Sequence, residues 1–137
     1  MTTKDGPLLA VLAAVGFGAA LGAMLRWALS YALNSRLGWL PAGTLAANLI
    51  GCFLIGVLAA LFSSMPAVPP VVRLFLVTGF LGGLTTFSTF SAEAAALLGS
   101  GAYARAALHM ALHGAGGLLM TASGLTLGRM LGKSLLG

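Results

Sequence analysis

Four apolar runs, at residues 7–33, 41–64, 69–98 and 103–133, take up almost all of this 137-residue chain, separated only by short polar or proline-containing breaks. A helix needs about 20 apolar residues to cross the hydrocarbon core of a bilayer, and each run is long enough. In hydrocarbon every backbone N–H and C=O must find an internal partner, so runs of this kind fold as helices. Composition agrees: 59% of the residues are hydrophobic and 7% charged, with a mean hydropathy of +1.04, whereas a soluble domain is about a quarter charged. The sequence predicts one all-α integral membrane domain over residues 1–137, with four transmembrane helices and no separate soluble domain. Pro7, Pro41 and Pro69 suit first helical turns, where a missing N–H costs nothing. Lys4 ahead of an apolar run imitates a secretory leader, but three further spans and Arg26 within the run argue for a retained helix.

The third span is interrupted. Gly79-Phe80-Leu81-Gly82-Gly83-Leu84-Thr85-Thr86-Phe87-Ser88-Thr89-Phe90-Ser91 packs glycines and hydroxyls where a helix should cross the membrane. Helix-breaking sequence at that depth is tolerated where protein or a water-filled cavity satisfies the freed backbone. The third helix is therefore expected to break mid-membrane at an ion or solute site.

The net charge of +5 comes from scattered residues: Lys4, Arg26, Arg36, Arg73, Arg105, Arg129 and Lys133, against Asp5 and Glu93. They form no run interleaved with aromatics, which argues against nucleic acid as a partner. Four spans would put Lys4, Arg73, Arg129 and Lys133 on one side and Arg26, Arg36 and Arg105 on the other. Four against three is too even to fix an orientation by the positive-inside rule. Dual topology follows, and with it an antiparallel two-fold homodimer. Gly18 with Gly22, Gly79 with Gly83, and Gly124 with Gly128 and Gly132 are spaced four apart, for close helix contact. Lone Cys52 forms no intrachain disulfide and reads as a packing residue.

Several side chains are candidates for chemistry. Phe87 and Phe90 share a helix face just after the break. Aromatic ring edges are electropositive and can face an anion; packing or lipid-facing aromatics are the plainer explanation. Ser88, Thr89 and Ser91 alternate with those rings, giving more hydroxyls than carbonyl back-bonding needs. Asn48, in an otherwise apolar stretch, can donate to an anion or clamp two helices. His109, His113, Gly117 and Thr121 fall four apart as one stripe. The His pair has no third zinc ligand at a recognisable spacing, so a polar track with pH-sensitive conduction is the better expectation. Glu93 is the only acid in a span, a proton site, a vestibule charge or a solvated helix-end group. Arg26 reads as an interfacial cation or a partner for Glu93. A single membrane carboxylate with no nucleophile triad and no phosphate loop argues against an enzyme.

The segment Gly79 to Ser91 resembles the signature of the Fluc/CrcB fluoride-channel family, and Gly22-Ala-Met-Leu-Arg26-Trp27 and Gly43-Thr44-Leu-Ala-Ala-Asn48-Leu-Ile-Gly51 are similar to its first- and second-helix motifs. The resemblance covers essentially the whole chain. It implies a fluoride-selective channel in the bacterial inner (plasma) membrane, a dual-topology antiparallel dimer with two pores that passively releases fluoride from the cytoplasm. It implies that Phe87, Phe90, Asn48, Ser88 and Thr89 line the pore, that Arg26 and Glu93 belong to the vestibule, and that backbone carbonyls of Gly82 and Thr85 hold a central structural sodium ion with those of the second subunit. The last span departs from the family's Tyr and Ser/Thr track: His109, His113 and Gly117 stand there and only Thr121 is kept. The rivals are a small dual-topology proton-coupled multidrug exporter, which needs an early membrane carboxylate that the first span lacks, and a passive scaffold subunit.

Overall fold

A computed structural model describes residues 2–34 and 38–136; Arg36 lies outside the described residues. The chain opens with a small antiparallel hairpin, β1 (Thr2–Thr3) and β2 (Gly6–Pro7), closed by a bond from Thr3 Oγ1 to the Gly6 carbonyl. Helices follow: α1 (Leu8–Leu33), α2 (Ala42–Ser64), α3 (Pro70–Arg73), a π-helical stretch Leu74–Leu81, α4 (Gly82–Leu84), α5 (Phe87–Gly99) and α6 (Tyr103–Leu136). Pro7, Pro41 and Pro69 each sit one residue ahead of their helices instead of in the first turn, with ψ of 129°, 79° and 141°. A cap residue also has no intrahelical use for its N–H. Among these helices only α3 is opened from within by a proline, Pro70.

Leu8–Leu33, Ala42–Ser64 and the composite Pro70–Gly99 are long and apolar enough to cross a membrane. The fourth long helix, α6, has 34 residues, roughly 50 Å at 1.5 Å per residue. Two histidines and several hydroxyls make it less apolar than the others; Ser123 and Thr126 spend theirs on carbonyls four residues back.

Two close pairings organise the bundle, α1 against the third helix and α2 against α6. Both are zipped by the small residues the sequence offered. A Cβ placed on Gly18 would lie 2.5 Å from the Phe75 carbonyl oxygen, and one on Gly128 2.6 Å from that of Val57. Where lipid tails are as apolar as the side chains, such backbone approach supplies the dispersion energy that associates helices. The buried centre, Ala47 with Leu81 and Leu84, lies between α2 and the third helix, just ahead of the break. Arg73 ties the α2–α3 loop by donating to the carbonyls of Met65, Pro66 and Val68 while lying over the Phe62 ring.

Candidate functional site

The third helix changes character twice before it stops. Through Leu74–Leu81 its turns are wide, so that the N–H of Gly82 reaches the carbonyl of Val77, five residues back. Such widened turns are rare in proteins and concentrate at functional sites. After Leu84 the backbone then extends outright, with φ/ψ of −84°/153° at Thr85 and −149°/115° at Thr86. The helix restarts at Phe87 because Thr86 caps it: its Oγ1 accepts from the Thr89 N–H at 3.2 Å.

Asn48 holds this break open. Its Oδ1 accepts from the Thr86 N–H at 2.8 Å and its Nδ2 donates to the Thr86 carbonyl at 3.2 Å. A side-chain amide here pairs with a backbone amide as a neighbouring strand would. One turn along α2, Gly51 leaves the room that the Thr85 methyl group fills. The diversion has consequences for two carbonyls. In a continuous helix the Gly82 oxygen would accept from the Thr86 N–H, and the Thr85 oxygen from the Thr89 N–H. Those donors go instead to Asn48 and to the Thr86 hydroxyl. The next carbonyl, of Gly83, accepts from Arg26 Nε at 3.1 Å.

Around the break lies a cavity of about 530 Å³. Asn48, Gly51 and Cys52 of α2, Gly82, Thr85 and Thr86 of the break, Phe87 and Phe90 of α5, and His113 of α6 contribute to its wall. The Phe87 and Phe90 rings meet with centroids 5.6 Å apart. Phe87 is 79% exposed, so none of the described residues covers that edge of the cavity.

Behind Phe90 the polar residues of α5 and α6 meet. Phe90 lies against both imidazoles, with centroids 5.3 Å from His109 and 4.7 Å from His113, and the two imidazoles are 4.4 Å apart. His109 is fully buried. Its Nε2 stands 3.6 Å from Oε2 of Glu93, whose Oε1 accepts from Thr44 Oγ1 at 2.7 Å.

Residues 13–125 match the family described as CrcB-like protein, Camphor Resistance (CrcB). Among curated proteins, the chain is 56% identical over 112 residues to the fluoride-specific ion channel FluC of Cupriavidus metallidurans, covering 82% of this chain and 89% of that one. It is 53% identical over 121 residues to the protein of that name from Pseudomonas aeruginosa (88% and 95% covered) and 56% over 118 residues to that of Bordetella pertussis (86% and 91%). The chain belongs to the CrcB family. Like the family it joins, it is a multi-pass membrane protein, and every candidate residue discussed above falls within the matched span.

In this CrcB protein the structure brings Asn48, Thr85, Gly82, Phe87, Phe90 and His113 to one cavity. Thr86 Oγ1 donates to Thr89 Oγ1 at 3.0 Å and stands 3.2 Å from Ser88 Oγ. Thr121 bonds the carbonyls of Cys52 and Gly117, each at 3.0 Å, and so joins α6 to α2 away from the cavity. Arg26 does not pair with Glu93; its guanidinium reaches the end of α4 instead, where a helix leaves carbonyls unpaired and a cation is favoured. Glu93 is no solvated helix-end group, since Thr44 and His109 enclose it. Sequence reasoning missed the role of Thr44. Its signal was present, a hydroxyl four residues before Asn48 on the same helix face, but the partner came from a helix 49 positions away.

Proposed function

We propose that this chain is a fluoride-selective ion channel of the inner (plasma) membrane of a bacterium, crossing it four times and letting fluoride leave the cytoplasm passively. What carries the reading is the identity of 53–56% to relatives named as fluoride-specific ion channels, over 82–88% of this chain. The geometry is consistent with it. Fluoride is small and tightly hydrated, so a pathway must offer donors in place of water while its width holds back larger halides. Asn48 has a second N–H beyond the one given to Thr86, and the rings of Phe87 and Phe90 can present electropositive edges. Ser88 and Thr89 add hydroxyls at the mouth of the break, and His109 and His113 continue the track along α6 in the direction of Thr121. Arg26 and Glu93 set the charge at the vestibule. No bond is made or broken in such a protein; it is a channel and not an enzyme.

The uncovered edge at Phe87 supports a homodimer, and the even split of basic residues supports an antiparallel one, with two pores. The carbonyls of Gly82 and Thr85, robbed of their helical donors, suit a hard monovalent cation. Sodium bound there and by the second copy would offset repulsion between anions in a low-dielectric interior. The deciding experiment is fluoride release from proteoliposomes followed with a fluoride-selective electrode, with chloride as control. Fast release of fluoride but not chloride is expected; equal rates for the two halides, or none above protein-free liposomes, would remove the assignment.

A further inference from the structure

Three titratable groups stand in a row beside the cavity, and their hydrogen bonding is incomplete. Among the described residues Glu93 Oε2 has no hydrogen-bond partner, nor has either ring nitrogen of the fully buried His109. With its hydrogen on Nε2, His109 faces Glu93 Oε2 at 3.6 Å, longer than a hydrogen bond, and leaves Nδ1 as a buried acceptor; with its hydrogen on Nδ1, it sets a lone pair against a carboxylate. One turn along α6, His113 uses Nδ1 on the His109 carbonyl at 3.1 Å. Since a carbonyl can only accept, Nδ1 carries the hydrogen, and the neutral ring then has a lone pair at Nε2, which is also without a partner.

One added proton changes the electrostatics of this group. On His109 it makes the 3.6 Å contact between Nε2 and the Glu93 carboxylate an ion pair; on His113 it turns Nε2 from an acceptor into a donor on a residue that lines the cavity. With centroids 4.4 Å apart the two rings share one proton more readily than they hold two. The other groups around them supply no competing charge. Thr44 from α2 and Phe90 from α5 are neutral, and Cys52 of α2 faces the same cavity with a thiol. Arg26 is held at Gly83 and Arg105 lies over the Trp39 ring.

We propose that Glu93, His109 and His113 form a proton-binding site in the wall of the conduction path, and that a proton held there raises fluoride flux. The conduction half of the proposal rests on the fluoride-channel reading. An ionised Glu93 beside two neutral imidazoles repels an anion in the path; a single proton offsets that charge on either ring, by an ion pair when it sits on His109 and with an added donor in the cavity wall when it sits on His113.

Fluoride efflux from proteoliposomes at about pH 5.5 and about pH 8, the range in which imidazoles titrate, tests it. The rate of protein-free liposomes is subtracted, because hydrogen fluoride crosses bare bilayers. The wild-type protein is expected to conduct at least about 3-fold faster at the lower pH, and the His109→Gln/His113→Gln double variant to give a ratio near unity whatever its absolute rate. A wild-type ratio of one or below, or a double variant that keeps the wild-type ratio, overturns the proposal. A second readout needs no fluoride: the chain has two histidines, both in this cluster, so ¹⁵N-histidine spectra can be assigned from the single variants. A ring that takes up the proton shows it in its ¹⁵N shifts, and the midpoint is expected to move in Glu93→Gln. Rings that do not titrate, or a midpoint indifferent to Glu93→Gln, overturn the proton site. Titrating rings without fluoride flux at any pH would instead overturn the channel reading.

Discussion

Replacing Asn48 with alanine removes both bonds that hold the break, the one from the Thr86 N–H at 2.8 Å and the one to its carbonyl at 3.2 Å. Neither backbone group has a substitute at hand. Thr85 and Thr86 are extended, so the Thr86 N–H cannot turn back to Gly82 without re-forming a helix through the cavity. An unpaired backbone group inside a protein costs about 1–3 kcal/mol, which would give about 2–6 kcal/mol for two. Polar contacts between membrane helices average only about 0.6 kcal/mol, because separated helices find other partners. Weighing the two, we expect Asn48→Ala to cost about 2–4 kcal/mol. Equilibrium unfolding in mixed micelles, followed by the fluorescence of Trp27 and Trp39, measures it. Asn48→Asp separates the two bonds. Its carboxylate still accepts from the Thr86 N–H but turns an oxygen on the Thr86 carbonyl; once protonated it can donate there again. That variant should be weakest when ionised and recover as pH falls. A loss below about 0.5 kcal/mol for Asn48→Ala, or an Asn48→Asp protein as stable as wild type at neutral pH, would refute the clamp.

Gly124→Leu forces a side chain against the Phe53 carbonyl; it should cost about 3 kcal/mol or more and yield aggregated protein on size exclusion. Gly99→Ala, with nothing within 4 Å of the new carbon, should stay within about 0.5 kcal/mol of wild type. Thr86→Val deletes the cap of α5 and should cost about 0.5–2 kcal/mol, whereas Thr86→Ser should retain most of the stability, both read from unfolding midpoints. Arg26→Leu leaves the Gly83 carbonyl without its charged donor and should cost about 1.5–3 kcal/mol; an unchanged midpoint would show the bond to be incidental. Phe90→Ile removes the ring that lines the cavity and backs both histidines. It should lower fluoride efflux by at least about 10-fold in a folded protein, and wild-type rates would take Phe90 out of the pathway.

How far the sequence reaches differs from feature to feature. The helix ends were legible to within a few residues because apolar length and proline are local signals: 103–133 predicted α6 and Tyr103–Leu136 is its extent. The break was legible because glycine, threonine and serine are poor companions for a continuous membrane helix, although the widened turns upstream of it left no compositional trace. The glycine spacing foretold close packing but not which helix met which. Polar partners were the least legible. Charge alone leaves Arg26 as either an interfacial cation or a partner for Glu93; the fold puts it beside Gly83, and Glu93 beside Thr44 and His109.

By itself, then, the sequence determined that this chain lives in a membrane as helices, and that its third helix is interrupted within Gly79 to Ser91. Both follow from the energy of burying backbone and side chains in hydrocarbon, which each residue carries wherever it sits. The tertiary structure alone decided what satisfies the failure. Asn48 reaches Thr86 across 38 positions and Arg26 reaches Gly83 across 57. Hydrogen bonds act over about 3 Å, so partners that distant in sequence become partners only once α1 and α2 have docked against the broken helix.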